Sequence, residues 1–98
     1  MEEGADEDLT RLAIRQAFEA DDQYSEVVDA ADIDQVARLR RLGRTVAREL
    51  GWKIWTTAKP LDDGSVQVLL VITASTPLRD QVMDTRRRRR MRDALRGL

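Results

Sequence analysis

Residues 52–75, WKIWTTAKPLDDGSVQVLLVITAS, are the stretch of this sequence that decides its fold. Two runs rich in β-branched and aromatic residues flank a segment that contains Pro60 and the turn-forming letters DDG. This pattern predicts two antiparallel strands joined as a hairpin. At the centre of the second run the letters VLLV, residues 68–71, make both faces of the strand apolar.

A two-stranded hairpin is only marginally stable in water, so both of its apolar faces need a cover. Helices can cover one face. A second copy of the chain is the simplest cover for the other face, or for a bare apolar edge. The sequence therefore predicts a homodimer that forms through the hairpin.

The clearest helix precedes the hairpin, over residues 33–50. Its apolar residues fall within one broad arc of the helix, and several arginines cluster on the opposite side. The apolar set is Ile33, Val36, Leu39, Leu42, Gly43, Val46 and Leu50. Gly51 stands where a helix C-cap is expected, which predicts that the helix ends there.

A second helix is predicted after the hairpin, with Thr76 as its N-cap and Pro77 in its first turn. Its last part, residues 86–96, is arginine-rich. The five consecutive arginines 86–90 span about 400° of helical rotation, so they surround the helix and prevent it from docking fully. Residues 86–96 contain seven arginines in all. Asp84 and Asp93 can pair locally with some of them, and most remain without a local partner.

The N-terminal third is harder to interpret. Residues 1–8 are acidic and predict a mobile tail. A short helix follows, with apolar residues at helical spacing: Leu9, Leu12, Ala13, Ala17 and Ala20. Residues 21–32 are rich in aspartate and could be a loop or a helix induced by packing. We therefore expect one α+β domain over residues 9–98, with the element order helix, helix, β-hairpin, helix.

Charge is strongly separated along the chain, although the net charge is only −1. Residues 1–34 contain twelve acids and two bases, a balance of −10. Residues 35–98 contain fifteen bases and six acids, a balance of +9. An acidic third is thus joined to a basic remainder, which directs attention to anionic partners.

The residue types that most catalytic and metal sites need are missing from the sequence. Histidine and cysteine are both absent, which removes disulfides, thiolate or imidazole metal ligands and the usual general base. No phosphate loop, dinucleotide fingerprint or zinc spacing occurs. We therefore expect no enzyme activity, no metal and no cofactor. We also expect a cytoplasmic protein without a membrane partner, because the sequence has neither a signal-peptide pattern nor a long apolar run.

The arginines favour phosphate binding, because guanidinium groups form paired, charge-assisted bonds with phosphate oxygens. We therefore expect a small regulatory or architectural protein that binds nucleic acid, with DNA as the first candidate. Trp55 could stack on a base, although a place in the core or at a dimer contact is the simpler interpretation. The expected contact residues are Arg86, Arg87, Arg88, Arg89, Arg90, Arg92, Arg40, Arg41, Arg44, Arg48, Lys53, Trp55 and Lys59.

Three other interpretations remain open. The arginine run could be a solvated helix end that is partly neutralised by the acidic third. The acidic third could also occupy the basic surface until a polyanion displaces it; deletion of residues 1–22 would then raise DNA affinity at low salt. The chain could instead be a protein-interaction adaptor, with its acidic third or its basic helix on an oppositely charged partner. For the acidic segment 18–34, the apolar anchors would be Phe18, Tyr24, Val27 and Val28.

Overall fold

A computed structural model describes the backbone of residues 2–96 and the side chains of residues 6–96. Its elements are α1 (Glu2–Asp21), β1 (Gln23–Asp29), α2 (Ile33–Leu50), β2 (Lys53–Pro60), β3 (Ser65–Ala74) and α3 (Pro77–Arg96). The three strands form one antiparallel sheet in the order β1-β3-β2. The predicted α+β fold, with the order helix, helix, hairpin, helix, is confirmed, and one strand is added to it.

The hairpin forms where the sequence predicts it. Strands β2 and β3 pair from Lys53 opposite Ala74 to Pro60 opposite Val66. Gly64 adopts the left-handed backbone of the turn, with φ 83°, a conformation that residues with a side chain rarely reach. The Asp63 carboxylate accepts hydrogen bonds from the Ser65 hydroxyl and amide, which lower its pKa and hold the turn together.

The additional strand corrects the prediction for residues 21–32. Neither a loop nor a helix forms there; residues 23–29 form β1, which pairs antiparallel with β3. The hairpin leaves one edge of β3 free, and the hydrogen-bonding groups of that edge accept β1, in which Tyr24, Val27 and Val28 are good strand formers. That edge of β3 is therefore covered by the chain itself, and β1 and β2 are the edge strands of the sheet.

The core lies between one face of the sheet and the helices α1 and α2. Residues from three elements form it: Ile14, Phe18, Leu39, Leu42, Val46, Ala47, Val68, Leu70 and Ile72. The apolar side predicted for α2 is thus the buried side, except that Ile33 at its start is exposed. Helix α2 ends at Gly51, the predicted C-cap. Its φ is 75°, and its backbone amide donates hydrogen bonds to the carbonyls of Ala47 and Arg48.

Helix α1 differs from its prediction in two respects. It begins at Glu2 rather than near Asp8, so residues 2–8 continue the helix; the mobility expected of residues 1–8 stays a prediction. Its buried side is also different: Ile14 and Phe18 are fully buried, whereas Leu9 and Leu12 face outward. The larger Phe18 and Ile14 side chains bury more apolar area against the sheet than the alanine-rich side could.

Helix α2 packs closely on the sheet at Gly43, where there is no room for a side chain. A Cβ atom at Gly43 would lie 2.7 Å from Cδ1 of Leu70, which is fully buried and cannot swing into solvent. We expect Gly43→Ala to lower the free energy of unfolding by about 1 kcal/mol, because overpacking outweighs the gain in helix propensity. Chemical denaturation measures this; an increase in stability would contradict the close contact.

Helix α3 starts as the sequence predicts. The Arg79 amide donates to the Thr76 hydroxyl, and the Asp80 carboxylate accepts bonds from the amide and hydroxyl of Ser75. The helix lies at the end of the sheet where β1 and β2 begin and β3 ends, and within Pro77–Arg96 only Met83 is buried. No helix in the described part of the chain is long and apolar enough to span a membrane.

Candidate nucleic-acid interface

The position of α3 is set at the corner between α1 and β1, where Asp22 lies. The Asp22 side chain is buried, with 5% of the residue exposed, and its backbone has a φ of 60°. Its amide donates to the Phe18 carbonyl (3.1 Å), which closes α1, and its carbonyl accepts from the Ile72 amide (2.8 Å), which joins the corner to β3. Aspartate tolerates this left-handed backbone better than most residues.

Arg79 connects α3 to this corner. One nitrogen of its guanidinium pairs with the Asp22 carboxylate. The other terminal nitrogen donates to the carbonyls of Phe18 (2.5 Å) and Glu19 (2.9 Å), which are among the last carbonyls of α1; the Phe18 carbonyl also accepts from the Asp22 amide. The guanidinium also stacks on Trp52, 4.2 Å from the ring centroid. Arg79 therefore fixes the start of α3 against both the end of α1 and Trp52, which precedes β2.

Two arginines of the predicted run also face the acidic corner. Arg87 contacts the Asp22 carboxylate at 3.1 Å, and Arg90 lies 3.7 Å from the carboxylate of Asp21. A cleft of about 480 Å³, lined in part by these side chains and Met83, separates α3 from the end of the sheet. The acidic third thus neutralises part of the arginine run, as one of the open interpretations requires.

The opposite side of α3 carries a second set of arginines, here called the outward row: Arg86, Arg89, Arg92 and Arg96. These residues recur three or four positions apart and lie on one side of the helix over about 15 Å of its axis. All four are exposed, and none forms an ion pair with another described side chain. Arg88 pairs with Asp84 at 3.0 Å, as the sequence predicts.

The arginines of α2 lie in the helical layer, on the other side of the sheet from Trp55. Arg40 donates to the Thr56 hydroxyl at 3.0 Å, and Arg41 lies 4.0 Å from the Glu7 carboxylate. Arg44 and Arg48 are exposed. Because Gly51 and Trp52 follow directly, the C-terminal end of α2 lies near the start of α3, with Arg48 in its last turn.

The face of the sheet opposite the core is here called the open face. It consists of alternate residues on all three strands: Gln23, Ser25, Val27 and Asp29; Ser65, Gln67, Leu69, Val71 and Thr73; Lys53, Trp55, Thr57 and Lys59. Trp55 is 54% exposed and Val27 is 57% exposed. The predicted contact residues Lys53, Trp55 and Lys59 therefore lie on this face, and the structure does not bring all thirteen predicted residues onto one surface.

Burial also limits the interpretation in which a partner docks on segment 18–34. Phe18 is fully buried, and Tyr24 and Val28 pack against the core, so only Val27 of the four expected anchors is exposed. The proposed deletion of residues 1–22 would likewise remove Ile14 and Phe18 from the core. Such a deletion tests folding rather than competition for the arginines.

The side chains that could have served catalysis have structural partners. The Ser75 hydroxyl donates to Asp80 at 2.6 Å. Burial raises the pKa of Tyr24 to about 12, and its bond to the Glu26 carboxylate acts in the same direction, so the phenol stays protonated as a donor. Among the described residues no group of carboxylates is placed to hold a metal ion. The expectation that the chain is not an enzyme stays a prediction.

Two residues of the candidate interface, Arg79 and Arg96, are not among those expected from the sequence. Arg79 precedes the arginine run and its partners lie 57 to 61 residues away, so no local pattern indicates them. Arg96 could have been found, because helical spacing places it in line with Arg89 and Arg92.

Comparisons of the chain with protein-family models, with curated proteins and with solved structures found no significant match.

Proposed function

We propose that this chain binds nucleic acid through phosphate contacts made by the outward row of α3. The observation that carries the proposal is the division of charge on this helix. Arg87 and Arg90 face Asp22 and Asp21, whereas the outward row faces solvent and forms no ion pair with a described carboxylate, including that of Asp93 in the same turns. Exposed arginines without a carboxylate partner are available for the paired bonds that guanidinium groups make with phosphate.

The attachment of α3 supports the same proposal. Arg79 and Met83 hold the first two turns, and every residue from Asp84 to Arg96 is exposed. A helix held at one end presents its outward row away from the acidic end of α1, which limits the repulsion that a polyanion would meet from residues 1–34. Arg44 and Arg48 would extend this surface along α2. Phosphate contacts carry no sequence information, so the proposal covers DNA and RNA alike.

The first experiment is direct binding to a short labelled duplex and to a single strand of equal length at low salt. Binding to either supports the proposal, and the stronger of the two identifies the preferred form. Absence of binding to both would reject it. The second candidate function, a protein-interaction adaptor, would then be favoured, with the exposed basic side of α3 on an acidic partner.

Asp21 offers a test of whether the acidic corner competes with phosphate for Arg90. Its carboxylate is exposed and lies 3.7 Å from Arg90, so the substitution Asp21→Asn removes the competing charge without disturbing the core. We expect affinity for a duplex to rise about two- to threefold at low salt, since an exposed ion pair contributes only about 0.5 kcal/mol. Glu19→Gln, which removes an acid paired with Arg15 instead, serves as the charge-matched control.

The outcome of this comparison has a clear meaning. If Asp21→Asn and Glu19→Gln raise affinity equally, the gain comes from net charge alone, and the acidic corner does not compete for Arg90.

Self-association, which the sequence predicts through the hairpin, remains a proposal, and the open face is the surface that would carry it.

A further inference from the structure

The open face has an apolar centre within a polar and charged border, and α1 and α2 pack on the other side of the sheet. Leu69 and Val71 occupy its centre on β3, flanked by Trp55 on β2 and Val27 on β1. Trp55 and Val27 each expose more than half of their surface. An antiparallel sheet can leave one face in water, but an apolar centre on that face favours a second layer that covers it.

The charges on the open face are not distributed evenly. Its β2 border carries Lys53 and Lys59, whereas its β1 border carries Asp29 and no basic residue. In the register of the sheet, Val27 and Lys59 both lie beside Gln67, so Asp29 is one outward-facing position beyond the level of Lys59. A surface with one basic and one acidic border can complement itself if the two borders are exchanged.

We propose that the open face is a homodimer interface in which two sheets pack face to face, related by a two-fold axis parallel to β3. This axis places β1 of each copy across β2 of the other, so Asp29 comes within diagonal reach of Lys59 of the second copy. The alternative axis, perpendicular to the strands, places β2 across β2 in reverse and brings Lys53 against Lys59 of the second copy. Like-charge contacts of that kind disfavour the alternative.

The area of the face sets the strength of the dimer. Three strands about 4.8 Å apart and about 30 Å long present a footprint of about 400 Å², half of what each partner contributes to a standard interface. We therefore expect dissociation constants in the micromolar range. Trp55, the large aromatic side chain beside Val71, is the residue whose loss should cost the most.

The arrangement also has a consequence for α3, and this part rests on the proposed function. A two-fold axis parallel to the strands keeps the same ends of both sheets together, and α3 lies at the end where β3 finishes. Both α3 helices would then lie at one end of the dimer, where their outward rows can act on one length of nucleic acid. The perpendicular axis would send them to opposite ends.

Sedimentation equilibrium of the free protein between about 1 µM and about 1 mM tests the proposal. The wild-type chain should dimerise within this range, and Trp55→Glu should weaken the dimer at least about tenfold. Leu12→Glu changes a residue of α1 that is 51% exposed, close to the 54% of Trp55, and should leave the dimer unchanged. A wild-type monomer at the highest concentration, or equal effects of the two substitutions, would overturn the proposal.

A charge reversal identifies the axis. Lys59→Glu faces Asp29 of the second copy in the proposed arrangement and should weaken the dimer; in the alternative it faces Lys53 and should strengthen it. Strengthening would therefore overturn the proposed axis. The variant Arg89→Gln/Arg92→Gln should dimerise like the wild type, so failure of nucleic-acid binding and failure of the dimer are separate results.

Discussion

Replacement of Arg79 by alanine is expected to lower the free energy of unfolding by about 3 kcal/mol, the scale for removing one partner of a buried ion pair. The loss has three sources. Asp22 keeps a buried carboxylate with only the more exposed Arg87 as partner. The Glu19 carbonyl loses its donor at the end of α1, the Phe18 carbonyl keeps only the Asp22 amide, and the stacking on Trp52 disappears.

Chemical denaturation measures this effect, with Arg15→Ala as a separate control variant for comparison with Arg79→Ala. Arg15 pairs with Glu19 on the surface, and both side chains are about half exposed, so its loss should cost no more than about 0.5 kcal/mol. Arg79→Lys should recover only part of the stability, because an ammonium group cannot serve the carboxylate, two carbonyls and the ring together. Equal stability of Arg79→Ala and Arg15→Ala would contradict the role assigned to Arg79.

The second large effect is expected on binding. The variant Arg89→Gln/Arg92→Gln should lose about a hundredfold in affinity for a short duplex, since each charge-assisted contact contributes about 1.5 kcal/mol. Both side chains are exposed and lie beyond the turns that Arg79 and Met83 hold, so stability should be unchanged. The slope of log affinity against log salt should also become shallower by about 2, one phosphate contact for each arginine.

The matched control removes two positive charges elsewhere. Arg15 and Arg38 lie on α1 and α2, outside the predicted contact residues. The variant Arg15→Gln/Arg38→Gln should keep the wild-type salt slope and lose little affinity. If both double variants lose affinity to the same degree, net charge rather than the outward row governs binding.

The fold could be predicted where the sequence pattern is local. Helix α2 has one apolar side and a glycine at its end, and the hairpin has alternating residues around a turn, so both were found. Strand β1 was missed because only three of its seven residues are good strand formers, and its pairing partner β3 lies about 40 residues away. The buried side of α1 was also misjudged, since Ile14 and Phe18 are selected by the shape of the sheet they contact.

The candidate site was predictable to a similar extent. The arginine run is visible in the sequence, and its spacing correctly indicates that this part of α3 does not dock fully on the rest of the protein. Which of its members are neutralised depends on Asp21 and Asp22, more than 60 residues earlier, and only the folded chain brings them together. The separation of the open face from the basic side of α2 likewise follows from the sheet, which the hairpin alone does not specify.

The most direct test of the central claim is the salt dependence of wild-type binding to a short duplex, measured below the concentration at which the chain dimerises. Four phosphate contacts by the outward row predict that log affinity falls with log salt at a slope of about −3.6. A slope near zero, or no binding at the lowest salt, would contradict the account and leave the outward row without a phosphate partner.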